Sequence, residues 1–197
     1  MRIRGLAIGL SSSMLAALAS IVALPAQSEP PSARPSASAQ GVQLKEHTAE
    51  LAKVVRATTR RFRDVNVATA EGYQLMFGCV SGPDDGAMGL HYVNMQLVGD
   101  PTLDARRPEI VIYEPTPNGG RRLIGADYLV LADAWHASNT NAPELMGQLM
   151  HLIMSPNRYG LPSFYTLHVW AWKPNRNGAF VNWHPDVSCE AFDGEER

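Results

Sequence analysis

Residues 115–122 read PTPNGGRR, an Asn-Gly pair set between two apolar runs. That pair is the residue choice of a tight hairpin, because both central positions of the turn need a positive φ that Asn and Gly tolerate. Working outward, residues 109–114 (EIVIYE) and 122–131 (RLIGADYLVL) have the β-branched and aromatic content of strands. They are predicted to pair antiparallel. Two further strands are predicted at residues 90–97 and 164–172, where the apolar period is 2 rather than 3.6.

Helical spacing marks residues 42–62, with Leu51, Val55, Thr58 and Phe62 on one stripe. Asp64 is placed to cap a short second helix, and Gly72 to end it. Another helix is predicted before the last strand. There Asn141 and Glu144 form a capping box around Pro143, and Leu145, Leu149, Leu152 and Ile153 follow at helical spacing. The expected fold class is α+β, an antiparallel, curved sheet of four or more strands with helices packed on one side.

The N-terminus has the composition of an export signal over residues 1–28. Arg2 and Arg4 precede an apolar run from Leu6 to Leu24, and Ala26-Gln27-Ser28 offers small residues for cleavage. Ser11, Ser12 and Ser13 interrupt that run, which leaves an uncleaved membrane anchor as the alternative. Residues 29–41 are rich in Pro, Ser and Ala and read as a flexible leader. Residues 42–197 then form a single α+β domain, expected in the periplasm or secreted. Without Arg2 and Arg4 the chain has 15 basic against 19 acidic residues, and its cluster Arg56, Arg60, Arg61 and Arg63 does not recur. This balance argues against a nucleic-acid partner. Cys79 and Cys189 are predicted to form a disulfide, an even count in an oxidising compartment. A catalytic thiol at Cys79 is the alternative.

Side chains alternate along a strand, so parity assigns faces. His91 shares its face with Val93 and Met95, Asp127 with Leu123, Leu129 and Leu131, and His168 with Phe164, Trp170 and Trp172. Glu114 shares a face with Ile110 and Ile112. An inward charge is costly unless paired or bound to a metal. His91, Asp127 and His168 are therefore the candidate ligands of a divalent or transition metal, with open positions for water or a small molecule. Trp170 and Trp172 are candidates for the wall of a ligand pocket. If the protein is an enzyme, the metal would act as Lewis acid or hold an activated water or oxygen, and Glu114 is the first candidate for general base. The competing reading is that both histidines are satisfied core residues in a structural envelope protein, or in a domain that captures a small apolar ligand without metal.

Other histidines carry less. His184 precedes proline and stands near Asp186, which makes it a candidate outer ligand or a loop residue. His47, His136 and His151 read as helix or strand-end residues. Met88, Met95, Met146, Met150 and Met154 are too scattered for a soft-metal motif and read as core filling. No G-x-S-x-G, H-E-x-x-H, C-x-x-C-H, phosphate-binding loop or dinucleotide fingerprint is present.

The segments GAMGLHYVN, PEIVIYEP, RLIGADYLV, LHVWAWKPNRNGAF and NWHPDVSC occur in this order, after RDVNVATAEGYQ. In this they resemble an uncharacterised family of exported bacterial proteins, over roughly Arg56 to Cys189. The resemblance implies export and implies no activity. In that family the residue matching Asp127 is usually Glu, and that matching His184 is usually Asn. The shorter acid here keeps the carboxylate, and the extra histidine stands where the family has no general metal ligand.

Overall fold

The computed structural model describes residues 37–82 and 84–194. The predicted signal segment 1–28 and most of the leader lie outside these residues. α1 (Ala37–Thr59) takes in the last residues assigned to the leader, and a 3₁₀ turn (Arg60–Arg63) continues it. α2 (Val65–Ala70) follows, its first turn capped by the Asp64 carboxylate, which accepts the Asn66 N–H. Next come β1 (Gln74–Gly82), β2 (Gly86–Val93), α3 (Met95–Val98), β3 (Ile110–Pro115), β4 (Arg121–Leu131) and α4 (Ala132–His136). Then β5 (Glu144–Leu145), β6 (Gln148–Leu149), β7 (His151–Ile153) and β8 (Phe164–Val169) complete the order.

Six strands form one curled antiparallel sheet, a half-barrel, in the order β1-β2-β3-β4-β8-β7. The α+β class with a curved sheet is thus observed. β3 and β8 are buried along their whole length and β4 along all but its ends. One face of the sheet takes Ala126, Tyr128 and Val130 of β4 with Tyr165, Leu167 and Val169 of β8, and α1 covers it with Leu51 and Val55. Asp127, Leu129, Thr166 and His168 alternate with these and point to the opposite face. No helix among the described residues is long and apolar enough to cross a membrane.

Several expected elements change. The strand predicted at 90–97 begins at Gly86 and stops at Val93, because the Asn94 side chain accepts the N–H groups of Gln96 and Leu97 and starts α3. Met95 therefore does not share a strand face with His91. The last strand ends at Val169 rather than 172. The N–H groups of Trp172 and Lys173 turn to the Ile124 carbonyl, which stands at a bulge in β4. The helix predicted over Asn141–Ile153 is absent. Met146 and Gly147 both have positive φ (48° and 81°), the geometry of a two-residue hairpin turn, and β5 pairs with β6 across it. A Cβ on Gly147 would stand 2.5 Å from the His47 ring. Leu149 and Leu152, placed at helical spacing, are exposed. β1 was not expected, since a bulge at Phe77 and Gly78 breaks its alternation.

Cys79 and Cys189 are joined in a disulfide, which removes the thiol reading for Cys79. The bond ties β1 to the C-terminal segment, which also bridges β2 through Ala87 and His184.

Candidate metal centre

Asp127 on β4 and His168 on β8 are direct cross-strand partners. His91 sits on β2, opposite Met76 of β1 and Ile112 of β3. The curl of the sheet carries His91 over β3, and the three ligand atoms come within 4.8 Å of one another. All three residues are buried.

The hydrogen bonds fix part of the protonation. The Nδ1 of His91 lies 3.2 Å from the Gly89 carbonyl oxygen. A carbonyl only accepts, so Nδ1 carries the hydrogen, and in the neutral ring Nε2 is a bare lone pair. That lone pair faces the Nε2 of His168 at 3.4 Å. The other nitrogen of His168, Nδ1, stands 3.6 Å from Asp127 Oδ1 and has no hydrogen-bond partner. Oδ1 itself accepts the Thr166 hydroxyl at 2.7 Å and the Leu167 N–H at 3.1 Å.

Neither tautomer of His168 satisfies this arrangement. With its hydrogen on Nδ1, two lone pairs oppose each other at the Nε2 atoms. With its hydrogen on Nε2, a bare Nδ1 faces the carboxylate. One further positive charge, proton or metal, resolves either conflict. Burial is the largest influence on all three groups. It holds both histidines well below their usual pKa, so they are neutral at physiological pH, and it raises Asp127 above the usual carboxylate range. Two neutral imidazoles and a carboxylate are the donor set of a divalent-ion site. A tetrahedral ion with nitrogen ligands at about 2.0–2.1 Å separates them by about 3.3–3.4 Å, which matches the Nε2–Nε2 distance.

The remaining candidates stand apart. Glu114 is bound by Arg122 at 2.5 Å and Lys173 at 2.6 Å and is not brought to the histidines. Trp170 lies against His168, with ring centroids 5.8 Å apart, and donates to the Val181 carbonyl. Trp172 is elsewhere, donating to the Thr59 hydroxyl. Neither tryptophan lines the cavity beside the three ligands. His184 is fully buried, its Nδ1 accepting the Asp186 N–H, and packs edge-on against Trp170 outside the cluster. His136 bonds the Tyr165 hydroxyl, while His47 and His151 are exposed. Of the methionines, Met88 and Met150 are buried, whereas Met95, Met146 and Met154 are exposed.

Residues that pattern reading missed complete the surroundings. Thr166 could have been found, since it lies two positions before His168 on the same strand face. Phe77, Tyr159 and Asn182 line the adjoining cavity from a bulge and two irregular segments, and no periodicity marks them. Comparison of the chain with protein-family models, with curated proteins and with solved structures returned no match.

Proposed function

We propose that this is an exported protein that holds a divalent or transition-metal ion through His91, Asp127 and His168. The observation that carries the reading is that no single tautomer of His168 suits both its Nε2, 3.4 Å from the His91 Nε2, and its Nδ1, 3.6 Å from the buried Asp127 carboxylate. A group with one cation too few is expensive to bury. The export part rests on the composition of residues 1–28, and the Cys79–Cys189 disulfide fits an oxidising compartment. Membership in the uncharacterised exported family belongs to the same proposal.

The test is elemental analysis by mass spectrometry of the mature protein, purified without affinity tag or chelator, beside a His91→Ala/His168→Ala variant. The expected result is near-stoichiometric metal in the wild type and none in the variant. Metal-free wild type that stays metal-free when offered Fe(II), Zn(II), Mn(II) and Cu(II) overturns the reading. The histidines would then be core residues sharing a proton.

A further inference from the structure

Holding a metal does not by itself require what lies beside these ligands. A cavity of about 50 Å³ adjoins His91, Asp127 and His168. Apart from Thr166 and Asn182 its wall is apolar, formed mainly by Phe77, Met88, Ile110, Leu129, Tyr159 and Phe164. Three of these rings pack edge to face, Phe77 on Tyr159 at 5.5 Å and Tyr159 on Phe164 at 6.1 Å. The Tyr159 hydroxyl is turned to the Met88 sulfur at 3.4 Å, so it offers its hydrogen there rather than to an occupant.

Phe77 reaches this wall at a cost. Its φ is 67°, a left-handed conformation that a bulky side chain seldom adopts. It stands in the β1 bulge, between Met76, the partner of His91, and Cys79, the partner of Leu90. Bulges of this kind re-aim a side chain, and here the ring is placed on the cavity.

Volume and polarity together limit the occupant. One water needs about 10–15 Å³, and a cavity of about 150 Å³ holds benzene. The space beside the histidines therefore accepts two or three heavy atoms. A file of waters would find too few hydrogen-bond partners along the aromatic side. Three protein ligands leave coordination positions open.

We propose that the cavity binds a neutral diatomic gas, of the class of dioxygen, nitric oxide and carbon monoxide, at the open position of the metal. The proposal rests on the metal reading above. Phe77 is its size-determining residue, excluding ligands with a branched body.

The experiment loads the mature protein anaerobically with Fe(II) and measures bound iron before any gas is added. Nitric oxide, carbon monoxide and dioxygen are then titrated separately, followed by optical and EPR spectra, and their ranking names the resident gas. The bulky tert-butyl isocyanide serves as the counterpart. The wild type should form one iron-nitrosyl per iron and bind the isocyanide at least tenfold more weakly than carbon monoxide. Phe77→Ala should raise isocyanide affinity at least tenfold and leave that for carbon monoxide within threefold. Should that variant not fold, xenon applied to the metal-free wild type must shift the methyl NMR signals of Ile110 and Leu129. Iron that binds while no gas does overturns this inference alone, as does equal affinity for the isocyanide or an absent xenon shift. Failure to take up iron or another metal removes the metal reading, and the gas site with it.

Discussion

The Nε2 atoms of His91 and His168 meet at 3.4 Å although their strands are not neighbours. β3 and β4 lie between β2 and β8, and in a flat sheet three strand spacings would separate them by about 14 Å. The contact therefore exists only because the sheet curls into a half-barrel. Asp127 already faces His168 as its cross-strand partner, and the curl adds His91 to that pair.

Asp127→Asn separates the two roles the carboxylate could have. The amide oxygen can still accept from Thr166 and Leu167, while the buried charge is gone. Since burial disfavours the ionised form in the folded protein, thermal stability in EDTA is expected to hold or rise. Metal affinity, measured by competition with a chelator, should fall at least about tenfold. A large loss of stability in EDTA with unchanged metal affinity would make Asp127 a packing residue.

Parity along strands made this group legible, because His91, Asp127 and His168 each break an apolar strand face, though only the strand of Asp127 has a partner that the Asn-Gly hairpin reveals. The curl that unites them was not legible, since no local pattern encodes the angle between strands three places apart in the sheet. The 141–153 segment was misread for a different reason. Its leucines keep helical spacing, but Met146 and Gly147 take positive φ and reverse the chain. The alternation of β1 was hidden by the bulge at Phe77 and Gly78. Glu114 looked available because its partner Lys173 comes from a distant segment.

Glu114→Gln should leave metal content unchanged and cost stability. The buried carboxylate pairs with Arg122 and with Lys173, and a neutral amide weakens both charge-assisted bonds. A loss of about 1–3 kcal/mol in chemical denaturation is expected. Intact stability together with lost metal would return Glu114 to the site.

Replacing both Cys79 and Cys189 by Ala releases a link between residues 110 apart in sequence. The loop-entropy model assigns such a link about 4–5 kcal/mol. Denaturant unfolding should show a loss of that order. A change below about 1 kcal/mol would mean that the unfolded chain is held compact by other contacts.

Glu109 gives a pH dependence with a definite sign. Its side chain is almost fully buried, and its carboxylate accepts the Leu129 N–H at 3.1 Å. Burial raises its pKa from 4.5 to about 8, and the negative charges of Asp127 and Asp100 push the same way. The folded state thus keeps a proton that the unfolded chain has released, and this contribution to stability declines as pH rises from about 4.5 to about 8. Below pH 6.5 the buried histidines oppose the decline, because the unfolded chain protonates them and the folded protein does not. Between pH 6.5 and 8 that opposition fades, because the unfolded histidines are half protonated at pH 6.5 and neutral by pH 8. Stability of the metal-free protein should therefore fall by about 1 kcal/mol in all from pH 6.5 to 8, most of it above pH 7. Glu109→Gln, which copies the protonated shape, should flatten the profile and exceed the wild type at pH 8. Denaturant titrations in EDTA at pH 6.5, 7.25 and 8 decide it, and an equal slope in both proteins would show that Glu109 is ionised in the folded state.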